Sequence, residues 1–195
     1  IEFCDLKAFE LILDSIPNNS TVQLANSTAV RYSNLFDQPA QKGLTCYSNR
    51  GTSGIDGSIS TAVGAAQAKG ELTTVISGDL SFFYDSNGLW NDYIKSTFRI
   101  ILINNSGGGI FKILPGYRDD LFHEKFIETR HGFSAKHLAK MHGFKYSKVS
   151  GSIGLKFALT SFFKTSSRPK LLEINTNSSL SSKILKNYFI NLKKS

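Results

Sequence analysis

The feature that most constrains the fold is a regular alternation along the chain. Short apolar segments rich in β-branched residues recur, and each is followed by a segment in which apolar residues have helical spacing. The apolar segments lie at 22–26, 45–49, 73–77, 98–104, 146–149 and 170–175. This alternation predicts a three-layer α/β/α fold, in which helices cover both faces of a central, mostly parallel six-stranded sheet.

Two of these segments are predicted to form the centre of the sheet. Residues 75–76 and 100–103 are apolar without alternation, as expected of strands that are covered on both faces. Residues 58–69 are small and rich in alanine and end at Gly70, which predicts a closely packed helix with a glycine stop. Further helices are predicted at 87–95, 135–141 and 182–192.

Length and composition limit the class of protein. A chain of 195 residues fits one domain spanning 1–195, and its start at Ile1 without a methionine suggests a piece of a longer protein. No apolar run approaches the roughly 20 residues that cross a bilayer, so we expect a cytoplasmic protein without stable membrane insertion. Cys4 and Cys46 have neither CxxC nor zinc-site spacing, so we expect neither a disulfide framework nor a zinc site.

The net charge of +8 could indicate an acidic partner. Much of the excess is lysine in the last third of the chain, where it fits the solvated face of a terminal helix. We therefore expect no nucleic-acid partner, and small acidic ligands fit the charge better.

Polar, glycine-rich segments follow several of the predicted strands. They lie at 26–27, 49–57, 78–81 and 104–109. Because the carboxyl ends of parallel strands meet at one edge of a sheet, these segments should converge. The sequence thus predicts a ligand site at this edge.

Asp79 and Asn105 are the candidate metal ligands. Asp79 follows a buried strand and Gly78, and Asn105 lies 26 positions later, an interval that accommodates one helix and one strand. A carboxylate, an amide oxygen and a carbonyl from the next turn would supply half of an octahedral shell for Mg²⁺. Alone, Asp79 could be a helix cap and Asn105 part of a turn. Together they match the GD and NN signature of thiamine-diphosphate enzymes.

The resemblance extends over most of the chain. The strings SNRGTSGIDGSISTAVGAA, SGDLSFFYDSNGL and INNSGGGIF, with ANSTAVR upstream and LPG and LLEINT downstream, resemble the C-terminal third of the 2-succinyl-5-enolpyruvyl-6-hydroxy-3-cyclohexene-1-carboxylate synthases. This resemblance implies the diphosphate-binding domain of a menaquinone-biosynthesis transferase that uses thiamine diphosphate and Mg²⁺ (or Mn²⁺). The family decarboxylates 2-oxoglutarate and adds the succinyl unit to isochorismate. Residues 129–131 depart from the expected Thr-Pro-His-like turn.

The resemblance also implies particular roles for residues. The metal would be held by Asp79, Asn105 and the carbonyl of Gly107, and Ile55 would support a bent cofactor. The cofactor-binding set is Ser53, Gly54, Ile55, Gly78, Asp79, Leu80, Ser81, Asn105 and Gly107. The substrate-binding set is Asn26, Ser27, Arg31, Arg50, Ile110, Phe111 and Leu114. Arginine suits dicarboxylates because its planar guanidinium can bond both carboxylate oxygens.

The resemblance implies that no catalytic residue lies in this chain. In the family, the activating glutamate belongs to a separate pyrimidine-binding domain, and the site is completed across a homodimer or dimer-of-dimers interface. We expect the isolated chain to be inactive, and we expect no catalytic histidine. The alternatives are another thiamine-diphosphate decarboxylase or carboligase, a non-catalytic interaction module with the same fold and, third, a basic nucleic-acid module.

Overall fold

A sheet of six parallel strands forms the centre of the molecule. The computed structural model describes residues 2–192. The strands are β1 (Thr21–Leu24), β2 (Thr45–Ser48), β3 (Thr73–Gly78), β4 (Phe98–Asn104), β5 (Lys145–Val149) and β6 (Lys170–Asn175). They lie in the order β2-β1-β3-β4-β6-β5, and every neighbouring pair is parallel. The predicted fold class is confirmed.

Helices cover both faces of this sheet. They are α1 (Asp5–Ser15), α2 (Thr28–Ser33), α3 (Gln38–Gln41), α4 (Ser58–Lys69), α5 (Asp79–Tyr84), α6 (Lys136–Met141), α7 (Ser152–Phe162) and α8 (Ser178–Leu192). Helices α1, α2, α7 and α8 pack on one face, and α4, α5 and α6 on the other. Short 3₁₀ turns lie at Ser86–Leu89 and Gly109–Ile113, and a π-helical turn at His123–Ile127. Within residues 2–192, no helix has the length and apolar character that a membrane crossing requires.

Strand β4 is buried along its whole length. Ile101 and Ile103 pack in the core that includes α1 and α7, while Ile100 and Leu102 pack in the core that includes α4 and α6. Successive side chains of a strand point to opposite faces, so a strand covered on both sides can carry apolar residues at consecutive positions, as Ile100–Ile103 do. The predicted position of this segment at the sheet centre is therefore confirmed.

Three predicted helices are found, with differences at their ends. The helix at 58–69 is confirmed and ends at Gly70, whose φ of +72° gives a left-handed stop. The helix at 135–141 is present as α6. Helix α8 begins four residues before the predicted 182, because Asn177 Oδ1 accepts the Leu180 N–H at 2.9 Å and caps its first turn. Helix α7 lay outside the predicted set.

The predicted helix at 87–95 is wrong. Only the 3₁₀ turn Ser86–Leu89 forms there. Gly88 lies so close to α4 that a Cβ would be 2.6 Å from Ser60 Oγ. The Asn91 side chain donates to the Gly88 carbonyl at 3.0 Å. Such a local side-chain bond competes with helical backbone bonding, so the chain turns away instead of continuing as a helix.

The order of the strands positions the candidate site. The chain leaves β1 toward β2 on one side, and β3 then pairs with β1 on the other side. Ligands of open parallel sheets bind beyond the carboxyl ends of strands at such a reversal. The last residue of β3, Gly78, pairs with Ile103 of β4. Asp79 and Asn105 therefore leave adjacent strands at the same edge.

Candidate functional site

A cleft of about 110 Å³ lies beyond the carboxyl ends of β1, β3 and β4. It brings together most of the residues that the sequence singled out. Those that line it are Asn26, Ser27, Ile55, Gly78, Asp79, Leu80, Ser81, Asn105, Gly107, Ile110 and Phe111.

The other candidate residues lie around the cleft. Ser53 and Gly54 belong to the loop before Ile55, where Ser53 Oγ donates to the Arg50 carbonyl at 3.1 Å. Ser81 Oγ donates to the Ile55 carbonyl at 2.7 Å and fixes this loop against α5. Ile55 remains 40% exposed, so its side chain presents an apolar surface to the cleft. Leu114 is exposed and lies outside the lining.

Asp79 is a buried carboxylate at the first position of α5. Its Oδ1 accepts the Leu80 N–H at 2.7 Å, and its Oδ2 accepts the Gly107 N–H at 2.9 Å. Burial raises the pKa of Asp79 above its usual value, while the Gly107 N–H and the nearby His131 act in the opposite direction. A bound cation would favour the charged form, which burial alone disfavours.

Asn105 carries an unsatisfied oxygen at the same cleft. Its Nδ2 donates to Asp5 Oδ2 at 2.9 Å. Its Oδ1 is buried, and no hydrogen-bond donor within residues 2–192 reaches it. A buried acceptor without a partner costs roughly 1–3 kcal/mol. An amide oxygen is a good ligand for a hard cation, so this orphaned atom fits a metal site.

Gly107 holds the turn that follows β4. Its φ is +145°, and a Cβ at this position would lie 2.8 Å from the Glu128 carbonyl. The Gly107 carbonyl accepts the Gly109 N–H at 3.0 Å, which leaves its second lone pair for another ligand. The position therefore requires glycine and can still supply an oxygen.

The donor set suits a cation that is shared with phosphate. The part of the chain that the structure describes contains no group of three or more His, Cys, Asp or Glu residues able to hold a metal. One carboxylate with neutral oxygens resembles magnesium sites in which phosphate and water complete the shell. Asp79, Asn105 and Gly107 thus fit Mg²⁺ bound together with a diphosphate.

His131 contacts the site, and it was not among the predicted site residues. Its Nε2 lies 3.4 Å from Asp79 Oδ2, and its Nδ1 accepts the Phe133 N–H at 3.1 Å. With Nδ1 as the acceptor of this hydrogen bond, Nε2 is the ring nitrogen that faces the carboxylate. Phe133 stacks on the ring and Phe83 meets it edge-on. The only signal in the sequence was the unusual turn at 129–131.

Glu173 stabilises the turn that follows β4. It is fully buried and accepts hydrogen bonds from Asn104 Nδ2 at 2.8 Å, the Ala135 N–H at 3.0 Å and the Tyr146 hydroxyl at 2.7 Å. Asn104 Oδ1 in turn accepts the Ser106 N–H at 3.1 Å. Glu173 thereby fixes the residue next to Asn105. A charged residue between the apolar residues Leu172 and Ile174 was the signal for it.

Two arginines lie beside the cleft. Arg50 Nη1 donates to Asn26 Oδ1 at 2.9 Å, and Asn26 Nδ2 donates to the Gly54 carbonyl at 3.1 Å. Arg31 lines a neighbouring concavity of about 210 Å³ together with Tyr32. Burial and the nearby Arg50 charge lower the pKa of Arg31. Among the ion pairs of residues 2–192, none involves either guanidinium, so both are available to an anionic ligand.

Several curated proteins are similar to the chain along nearly its whole length. No family model matches it. A protein of Christiangramia forsetii is 48% identical over 189 residues, which are 97% of this chain and 32% of that protein. A relative from Flavobacterium psychrophilum is 47% identical over 98% of this chain and 34% of that protein. One from Bacteroides fragilis is 40% identical over 99% of this chain and 35% of that protein. All three are named 2-succinyl-5-enolpyruvyl-6-hydroxy-3-cyclohexene-1-carboxylate synthase.

A solved structure has the same fold. It is described as a putative thiamin diphosphate-dependent enzyme from Mycobacterium smegmatis, with a TM-score of 0.62 and 17% identity over 90% of this chain and 32% of that one. The chain spans about a third of the length of the curated relatives it matches. The resemblance inferred from the sequence is confirmed: the chain is a homologue of one part of the 2-succinyl-5-enolpyruvyl-6-hydroxy-3-cyclohexene-1-carboxylate synthases.

Proposed function

We propose that residues 1–195 are the diphosphate-binding domain of a longer enzyme that decarboxylates 2-oxoglutarate and adds the succinyl unit to isochorismate. The observation that carries the cofactor assignment is the unsatisfied Asn105 Oδ1 at the cleft that the buried Asp79 also lines. The substrate assignment is supported by 48% identity to a synthase named for the expected product.

Each group in the cleft would have a distinct task. Asp79, Asn105 Oδ1 and the Gly107 carbonyl would hold Mg²⁺ or Mn²⁺, which neutralises diphosphate oxygens. Thiamine diphosphate, when bound, supplies the electron sink that decarboxylation of a 2-oxo acid requires. Ile55 would pack against the cofactor rings, because Ser81 fixes its backbone and its side chain faces the cleft.

The substrates would bind beside the cofactor. Arg31 and Arg50 lie near enough for the charge of Arg50 to lower the pKa of Arg31. Two adjacent guanidinium groups without carboxylate partners favour a dianion, and both proposed substrates are dicarboxylates. Ile110, Phe111 and Leu114 would form the apolar wall of the substrate cleft. Asn26 and Ser27 would contact the substrates at the rim of the cleft, where the Asn26 amide already positions Arg50.

The cleft alone is an incomplete active site. Its volume of about 110 Å³ is below the roughly 300–1,000 Å³ of ordinary ligand pockets. Among the described residues that line it, Asp79 is the only carboxylate and no glutamate is present. We infer that a pyrimidine-binding domain of the same enzyme, across a homodimer or dimer-of-dimers interface, supplies the activating glutamate and the missing walls. The isolated chain is then expected to be inactive.

The test is product analysis with the complete protein. With thiamine diphosphate, Mg²⁺, 2-oxoglutarate and isochorismate, mass spectrometry should detect the succinylated product, and pyruvate should not replace 2-oxoglutarate. Arg50→Gln should lower kcat/KM by about 10- to 100-fold through loss of a charged hydrogen bond. Exposed Arg168→Gln is the matched control. Preference for pyruvate, or equal effects of the two substitutions, would favour a different carboligase or decarboxylase.

A further inference from the structure

Asp5 is a second buried carboxylate beside the candidate metal site. It is the first residue of α1, is 3% exposed and lies 100 positions before Asn105. Its Oδ2 accepts Asn105 Nδ2 at 2.9 Å, and its Oδ1 accepts the Thr176 hydroxyl. Its own N–H donates to Ser181 Oγ at 3.0 Å. The Asp5 side chain is therefore fixed on both sides, and one of its oxygens is directed at the Asn105 amide.

The orientation of the Asn105 amide decides whether it can bind a cation. The oxygen and nitrogen of an amide are almost the same size, so hydrogen-bond partners select between two orientations related by a 180° flip. A carboxylate only accepts, so Asp5 favours the orientation in which Nδ2 faces it. Oδ1 then points elsewhere and remains buried without a donor. Only Oδ1 could ligate a hard cation.

We propose that Asp5 is a positioning residue that orients the Asn105 amide, so that Oδ1 is presented to the Mg²⁺ of the diphosphate site. The inference rests on the proposed cofactor site and adds a residue that lies outside the cleft lining. Of its two anchors, Thr176 directly follows β6 and Ser181 lies in α8. The metal site thus depends on contacts between segments at opposite ends of the chain.

The test measures metal affinity in the complete protein. Binding of Mn²⁺ in the presence of thiamine diphosphate is followed by the electron paramagnetic resonance signal of free Mn²⁺. Asp5→Asn can present an NH₂ group to Asn105 and so removes the preference for one amide orientation. Loss of a partner that orients a ligand typically weakens metal binding about 10- to 100-fold, so we expect an increase of that size in the Mn²⁺ dissociation constant.

Two further variants make the result specific. Thr176→Val removes the donor to the other Asp5 oxygen and should weaken Mn²⁺ binding in the same direction, but less. Asp14→Asn makes the same change of charge at an exposed position of α1, where Oδ1 accepts only Gln38 Nε2 at 2.9 Å, and should leave Mn²⁺ binding unchanged. Saturating Mn²⁺ should restore cofactor binding to Asp5→Asn.

The outcomes separate this inference from the proposed function. If the role of Asp5 were purely structural, Asp5→Asn would lower the melting temperature of the metal-free protein without changing the Mn²⁺ dissociation constant. That result would overturn the inference. If Asp5→Asn does not fold, wild-type affinity in Thr176→Val overturns it and weakened affinity supports it. If the wild-type protein binds no Mn²⁺ with thiamine diphosphate, the proposed cofactor site fails together with the inference.

Discussion

The hydrogen bonds that Glu173 accepts allow the loss of stability on its substitution to be predicted. Glu173→Gln keeps the size of the side chain but removes its charge and one acceptor. In the wild type, Oε2 accepts Ser134 Oγ, the Ala135 N–H and the Tyr146 hydroxyl, whereas Oε1 accepts Asn104 Nδ2. The glutamine NH₂ should therefore replace Oε1, where it meets one hydrogen-bond donor, Asn104 Nδ2, and where Lys148 Nζ lies 4.0 Å away.

The expected loss of stability follows from these contacts. Leaving one buried donor unsatisfied costs roughly 1–3 kcal/mol. Three hydrogen bonds to a charged acceptor become bonds to a neutral one, which weakens each by about 1 kcal/mol. Glutamine also avoids the cost of burying a carboxylate, and this offsets part of the loss. We expect the free energy of unfolding to fall by about 3 kcal/mol.

Hydrogen–deuterium exchange gives the local readout of this substitution, and thermal unfolding gives the global one. In Glu173→Gln, the amides of Ser106 and Ala135 should exchange faster, because their acceptors are Asn104 Oδ1 and Glu173 itself. The control is Glu71→Gln at an exposed position, which should change stability by no more than about 0.5 kcal/mol. Equal stability of the two variants, or unchanged exchange at these amides, would refute the reasoning.

Three further predictions concern the turn, pH and the metal. Gly107→Ala should destabilise by about 3 kcal/mol because of its backbone strain and the 2.8 Å approach to the Glu128 carbonyl. Gly116→Ala, at φ +85° in open space, should cost about 1 kcal/mol; equal melting temperatures would contradict this. Burial, and then the Glu173 acceptor, raise the pKa of Tyr146 to about 12. The stability that the protonated Tyr146 hydroxyl contributes is therefore complete below the ordinary tyrosine pKa of about 10 and is lost as pH rises toward 12. Denaturation at pH 9 and 11 should show a shallower alkaline decline in Tyr146→Phe, and an identical decline would count against the assignment. Chelation should lower the unfolding free energy of the cofactor-loaded complete protein, by about 2.7 kcal/mol if ligand is at 100 times its dissociation constant. Asp79→Asn should show no metal-dependent shift, and a wild-type shift in that variant would exclude Asp79 as a ligand.

Much of the fold follows from local patterns in the sequence. The segment at 98–104 was predicted to be a central strand because residues 100–103 are apolar without alternation, and the structure gives the strand those bounds. The end of the helix at 58–69 could be predicted because Gly70 favours the left-handed conformation that terminates a helix. The helix predicted at 87–95 failed because the approach of Gly88 to Ser60 depends on tertiary packing, which local periodicity does not report.

The candidate site was predictable where it depends on strand ends. Parallel strands bring the residues that follow them to one edge, so the proximity of Asp79 and the turn at Gly107 could be inferred from spacing. The supporting contacts could not be inferred. Asp5 and Asn105 are 100 positions apart, and no pattern near either residue indicates the other. His131 reaches Asp79 through a loop that no periodic pattern describes.

The central claim is that Asp79, Asn105 and Gly107 form the metal site of a diphosphate-binding domain. Its most direct test is a crystal structure of the complete protein with thiamine diphosphate and Mn²⁺, in which anomalous scattering locates the metal. We expect one Mn²⁺ in the cleft, in contact with the Asp79 carboxylate, Asn105 Oδ1, the Gly107 carbonyl and the diphosphate. A Mn²⁺ bound elsewhere, or diphosphate bound without contact to these three residues, would contradict the claim.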